Sequence, residues 1–337
     1  MALNIAEIRT AEPAPGDEAP LISLLRCVYD DRHPLPPGEQ ADAILADIRL
    51  FYLYPQVYVL LKNSGRLGEL PASLRQKLEE GYRQTLGLSA YIRHKEKELI
   101  AIFEKHQVEA IVLKGARFAE RYFGHFTART SSDLDFLVPR ARFQTAIDAL
   151  CQEGYEHEMT VDHHARIVKN RFLVELHWTL DIPVWSDLHE EAWWQAAETI
   201  RPHQCTKELS PLHTLYFICL HGARHQMNSV RYLLDVAQVI VTHPDEIDMT
   251  ALLEMARKDR TLRRLQVVLS IVYSQLPSLS RIKPLPFEPL RTPWRYDLIR
   301  RCWLGGKNLP YYQYKLFFRH FMFDTWNHRL QSIRKPY

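Results

Sequence analysis

Long apolar runs are missing from this chain of 337 residues. No stretch of about 18 uncharged apolar residues occurs, so a membrane-spanning helix is not expected. The opening Met-Ala-Leu-Asn-Ile-Ala-Glu-Ile-Arg has no basic flank leading into an apolar run, so no signal peptide is expected either. Cysteine is sparse and scattered. Cys27, Cys151, Cys205, Cys219 and Cys302 are odd in number and never closely paired. That excludes a disulfide framework and a cysteine-based zinc site, and a reducing cytoplasm is the expected compartment. Internal repeats and low-complexity segments are absent as well.

What is present is ordinary for a soluble globular protein, with 46% hydrophobic and 25% charged residues. The length allows two or three packed units. The net charge of +3 hides an asymmetry. Between Arg281 and Tyr337 there are twelve Lys or Arg and three Asp or Glu, a net +9, so the other 280 residues carry −6. The same tail is rich in aromatics, among them Trp294, Trp303, Tyr311, Tyr312, Phe318 and Trp326. Basic residues interleaved with aromatics can bind nucleic acid through phosphate contact and stacking. Their helical spacing favours the plainer reading, a helical cap with its rings turned inward.

The chain changes texture twice. Residues 1–20 are rich in Pro, Ala and acids and predict a loose start. Helical patterns follow over Leu21–Tyr29, over Glu39–Leu61 (kinked or divided at Pro55) and from Pro71 to about His106. From Val108 the pattern is strand, helix, strand, helix and then strands. The predicted strands are 109–113, Asp133–Val138, Tyr155–Thr160, Ala165–Lys169 and Phe172–Trp178, with a tight turn at Asn170-Arg171. After Trp178 helices return, over Pro211–Gln226, Val230–Thr242 and Met249–Gln275. The expected fold class is α+β: a small mixed-sheet core over 108–180, between a helical region at 1–107 and a helical region at 181–337.

The chemistry concentrates in that core. Asp133 and Asp135 stand two apart in a strand, so both carboxylates project from one face while Leu134 and Phe136 project from the other. Like charges side by side call for a cation between them, and a divalent ion with a taste for oxygen is the simplest. A lone Asp-x-Asp arises often by chance, and a solvated strand edge explains it equally well. Its context adds weight. A Lys114-Gly115 turn precedes it, and Glu175 follows it on another alternating strand, sharing a face with His177. Three converging carboxylates could hold metals that bridge a nucleotide's phosphates, with Glu175 as ligand or as proton acceptor.

The segments Ile111-Val112-Leu113-Lys114-Gly115, Arg129 to Val138, Gly154-Tyr155 and Val174-Glu175-Leu176-His177-Trp178 resemble the uncharacterised nucleotidyltransferase family of the DNA polymerase β-like superfamily. Leu220 to His225 and Arg231 to Asp235 are similar to that family's helical part. The resemblance covers roughly residues 85–240 and rests on the motifs in combination. It implies a mixed-sheet nucleotidyltransferase fold, magnesium (manganese as the alternative) and an NTP donor. Asp133 and Asp135 match the superfamily's paired acids, and Glu175 matches its third.

One departure stands out. The superfamily usually has Gly-Ser at the turn, where the Ser helps hold the triphosphate, whereas this chain has Gly115-Ala116. The candidate phosphate-binding set is therefore Lys114, Gly115, Arg129, Ser131 and Ser132. His177, His221 and Arg224 are candidates for an acceptor pocket. His157, His163 and His164 fit no familiar zinc spacing and are assigned to packing or solvent. Arg231 and Asp235, one helical turn apart, are assigned to an intrahelical ion pair. The expected reaction moves a nucleoside monophosphate from an NTP to a hydroxyl or amine of a small molecule, peptide, tRNA or protein. The competing expectation is a nucleotide- or RNA-binding module that keeps the fold without turnover, as the missing Ser would suggest.

Overall fold

The computed structural model describes residues 19–334, so the expected loose start lies outside the described residues apart from Ala19 and Pro20. Four helices come first: α1 (Pro20–Tyr29), α2 (Ala41–Leu50), α3 (Tyr54–Asn63) and α4 (Ala72–Lys105). Pro55 falls in the first turn of α3, where its missing N–H costs nothing, so it starts a helix rather than kinking one. At 34 residues α4 is about 50 Å long at the usual rise.

The middle of the chain builds a seven-stranded mixed sheet in the order β3-β4-β5-β2-β1-β7-β6. The strands are β1 (Ala110–Val112), β2 (Asp133–Leu137), β3 (Glu156–Thr160), β4 (His164–Lys169), β5 (Phe172–His177), β6 (Glu198–Thr199) and β7 (Thr206–Glu208). Helix α5 (Ala116–Phe123) joins β1 to β2, α6 (Phe143–Gln152) follows β2, and α7 (Glu190–Ala196) precedes β6. Strands β2 and β5 run parallel, and β4 returns antiparallel on β5. The β4–β5 turn puts Asn170 and Arg171 at φ 52° and 66°, the left-handed pair that a two-residue hairpin of matching twist requires. β6 and β7 come from beyond residue 180, and β7 pairs in parallel with β1.

Helices close the chain: α8 (Pro211–Arg224), α9 (Val230–Thr242), α10 (Met249–Lys258), α11 (Leu262–Gln275), α12 (Leu279–Ile282), α13 (Tyr296–Trp303), α14 (Leu309–Leu316) and α15 (Trp326–Arg334). Their starts are written locally. Ser210, Ser229 and Asp248 each accept a hydrogen bond from the first turn of α8, α9 and α10. Among the described residues, no helix is long and apolar enough to cross a membrane.

Two apolar clusters grip the sheet from opposite sides. Leu134 and Phe136 of β2 and Val174 and Leu176 of β5 pack with Ile92, Leu99 and Phe103 of α4 and with α6. Phe103 meets Phe136 edge-on at 5.1 Å. Truncating Phe136 to Ala would cost about 3–5 kcal/mol. The larger cluster joins Ile111, Leu113 and Leu137 to α1–α3, α8, α9 and α11. The period of two then fixes the site: with Leu134 and Phe136 committed to α4, Asp133 and Asp135 must face the C-terminal helices.

Candidate active site

The sheet register sets the acids side by side. Asp135 is directly opposite Glu175 across the parallel β2–β5 pair, and Asp133 is opposite Leu173. Two residues on, Leu137 pairs with His177, which in turn pairs with His164 of β4. One donor atom each from Asp135, Glu175 and His177 lie within 4.8 Å of one another, and so do ring nitrogens of His163, His164 and His177. His177 belongs to both groups. Its Nε2 is 3.1 Å from Asp135 Oδ1 and 3.6 Å from Glu175 Oε2.

Lys114 occupies the cation position in this constellation. Its Nζ is 2.9 Å from Asp135 Oδ2 and 3.1 Å from His221 Nε2, inside the protein. Burial alone would push the Asp135 carboxyl upward; Lys114 and His177 more than offset this and hold it well below the usual carboxylate range. Glu175 is likewise held low: burial would raise it, but the His177 hydrogen bond together with the His177 and His164 charges more than offsets this. Asp133 goes the other way. Burial and the neighbouring Asp135 charge raise its pKa, and Ser131 donates its hydroxyl to Asp133 Oδ1 at 3.0 Å. Three neighbouring acids with opposed shifts mark a candidate functional site.

The surrounding imidazoles are neutral. Burial, helped by the Arg224 charge, lowers His163 to about 2 and His225 to about 3. Burial also takes His164 down to about 4. A neutral imidazole can accept a hydrogen bond or bind a metal. The donors suit a divalent ion: carboxylates for magnesium, with the adjoining imidazoles widening the choice toward manganese.

The phosphate-binding candidates divide. Lys114 and Ser131 touch the acids, and Ser132 is exposed at the mouth of β2. Arg129 does not join them. Its Nε donates to both oxygens of Asp235, at 2.9 and 3.1 Å, in a fully buried pair between the β2 approach and α9. Asp235 is thus held by Arg129, while Arg231 turns to the carbonyl of Thr130 at 3.3 Å. The intrahelical Arg231–Asp235 pair expected from spacing is therefore replaced by a cross-chain one.

Gly115 adopts φ 120°, and an added Cβ would collide with the Glu96 carboxylate and fall 2.6 Å from Leu134 Cδ2. Glu96 was not singled out by the sequence reading. Its carboxylate accepts from the backbone N–H of Ala116 at 2.8 Å and of Arg117 at 3.2 Å, capping the helix end where a phosphate would be cradled. Burial pushes Glu96 up to about 7 despite those two hydrogen bonds. The signal was available: Ile92, Glu96, Leu99, Ile100 and Phe103 share one helical stripe, and Glu96 is the charged member of it. The trio His163, His164 and His177, set aside on its spacing, comes together for another reason. Strand pairing assembles it, and no spacing along the chain does.

Of the acceptor candidates, His177 belongs to the carboxylate cluster and His221 to Lys114. Arg224, at the end of α8, lines a cavity and acts electrostatically on His163.

A strand, a tight Gly turn and a helix ahead of an Asp-x-Asp strand, with a third carboxylate on the adjacent parallel strand, define a protein of the nucleotidyltransferase class. The chain belongs to the family described as uncharacterised nucleotidyltransferase, whose model matches residues 37–276. No curated protein and no solved structure matches it significantly.

Proposed function

We propose that this protein transfers a nucleoside monophosphate from an NTP to a hydroxyl or amine acceptor in a reaction that needs a divalent ion. The observation that supports the reading is the register pairing of Asp135 with Glu175, with His177 beside both and Asp133 two residues away on the same face of β2. Asp133, Asp135 and Glu175 would hold magnesium or manganese, which when bound supplies Lewis-acid stabilisation of phosphate charge.

The chain's own groups complete the chemistry. The acceptor oxygen or nitrogen attacks the α-phosphorus, and the bond to the departing pyrophosphate breaks. The acceptor's proton passes to Glu175, which is held ionised and is half-buried beside His177. Lys114, 2.9 Å from Asp135, is the nearest fixed positive charge to the phosphates, and backbone N–H groups beyond Gly115 supply further donors if Glu96 yields them. His221 orients Lys114 without adding charge.

The test is a screen of each α-labelled NTP against cell extract fractions with magnesium or manganese, comparing the natural chain with Asp133→Asn. Label appearing in an acceptor, dependent on metal and lost in the variant, is the expected result. Absence of label in every fraction, together with no metal-dependent NTP binding, would sink the reading. One observation favours a second reading, a binding module without turnover: Glu96 occupies the Ala116 and Arg117 amides that a triphosphate would use. Metal-dependent NTP binding without label transfer would select it.

A further inference from the structure

A cavity of about 280 Å³ opens between the end of α8 and the basic aromatic tail. Its cations include Arg224, Lys315 and Arg319, its rings include Tyr311, Tyr312 and Phe318, and no Asp or Glu among the described residues lines it. The fourth lining cation, Arg264, is already neutralised by Asp181 at 2.6 Å. Arg224 is only 9% exposed, yet its Nε and Nη1 have no hydrogen-bond acceptor among the described residues. Leaving a buried charged donor unmet is costly. A bound anion would supply the acceptors that these nitrogens lack.

The geometry of a guanidinium fork matches a carboxylate or phosphate. Lys315 is half-buried, donates to Gln226 Oε1 at 2.6 Å and lies 5.8 Å over the Tyr311 ring, so the positive charge is fixed beside an aromatic face. Arg224 lies within electrostatic reach of the histidines beside the acids. The Arg224 charge acts directly on His163, whose ring centroid is 5.6 Å from that of His177. His177 touches Asp135. Arg224 is therefore related to the carboxylate cluster through His163 and His177.

Resting on the nucleotidyl-transfer reading, we propose that this cavity holds the acceptor, a small anionic compound carrying a phosphate or carboxylate beside a flat ring. A polycationic acceptor is excluded, because three uncompensated cations would repel it. The volume is at the small end of ligand sites, enough for a ring with its charged group rather than for a polymer segment. Stacking on the tail's tyrosines would hold the ring, and Arg224 would hold the anion with the reactive hydroxyl or amine turned toward Glu175.

The test is calorimetric titration of the full chain in EDTA with AMP, salicylate and inorganic phosphate, so that the metal-dependent donor site stays silent. AMP or salicylate should bind more tightly than inorganic phosphate. Arg319→Ala and Lys315→Ala, both on the tail and away from the sheet, should each weaken that binding about tenfold. Arg224→Gln should abolish it, and its thermal melt checks that it is folded. Binding should survive saturation with magnesium and a non-hydrolysable NTP. Three results overturn the proposal: no binding of any anionic probe, displacement by the NTP analogue (which would make the cavity the donor's), or an RNA oligonucleotide binding at least tenfold tighter than AMP and competing with it. Label-transfer failure with intact anion binding would reject the catalytic reading alone, and transfer without anion binding would reject this one alone.

Discussion

Two buried ion pairs flank the Asp-x-Asp strand, and they are finished to different degrees. Arg129 and Asp235 satisfy one another: one guanidinium nitrogen meets both carboxylate oxygens, and Gln56 Nε2 approaches Asp235 Oδ1 at 3.4 Å. Lys114 and Asp135 are just as buried but shared, the lysine with His221 and the carboxylate with His177, while Asp133 and Glu175 press in from either side. A closed pair ties the β2 approach to α9 and has no capacity left for substrate. An open pair keeps charge in reserve. Arg129, read from sequence as a phosphate cation, falls on the closed side of that division, and Lys114 on the open side.

Activity gives the largest contrast. Asp135→Asn should cut metal-dependent label transfer by a factor on the order of 10³, the scale on which a preorganised charge at the reacting group acts. It should also lower the melting temperature in EDTA, because Lys114 loses its carboxylate. Asp133→Asn should lose transfer equally but melt at the same or higher temperature in EDTA, since its raised pKa says that the ionised form is opposed by Asp135. Matching shifts of the same sign in the two variants would break the distinction between the two acids.

The closed pair predicts stability rather than activity. Arg129→Met should cost about 3–5 kcal/mol in denaturant unfolding, because it strands a buried carboxylate. Adding Asp235→Leu should recover a large part, with a coupling of about 0.5–3 kcal/mol or more. The folded fraction of the double variant should keep its KM for NTP. A KM rise of tenfold without loss of stability would return Arg129 to the phosphate site.

These contrasts also mark how far the sequence could be read. Alternation gave both faces of β2 and β5, and Pro55, Ser210-Pro211 and Asn170-Arg171 punctuated the chain where the structure turns, because each acts within a few residues. The carboxylates were legible for the same reason. Register was not. That β5 pairs in parallel with β2, so that Asp135 meets Glu175, and that β4 carries His164 up to His177, depend on contacts far apart in the chain. Partner choice was not legible either: Asp235 had an arginine one turn away and took one 106 residues off. The tail's expected inward packing holds in part. Trp294, Tyr296 and Tyr314 turn inward, Trp326 and Tyr312 stay exposed, and Arg300 is spent on Asp47 at 2.7 Å. β6, β7 and α7 carry too few residues for any period to show.

Glu96 offers the finest test of what is closed and what is open. Its folded pKa of about 7 exceeds the ordinary 4.5, so the native state binds a proton that the unfolded state releases. The sign follows: this contribution is fully present below about pH 4.5 and is lost as pH rises through about 7, an effect on the order of 3 kcal/mol if the shift is taken whole. Glu96→Gln stays neutral and can still accept from Ala116 and Arg117. Its stability advantage over the natural chain should therefore grow from about pH 5 to about pH 8 and then level off. If the advantage is flat, or the natural chain gains with pH, Glu96 is a settled anion that closes the helix end as firmly as Asp235 closes Arg129. If it grows, the carboxyl is protonated near neutrality and weakly held. An incoming phosphate could then displace it from the amides, and the end of β1 would belong to the open half of the molecule.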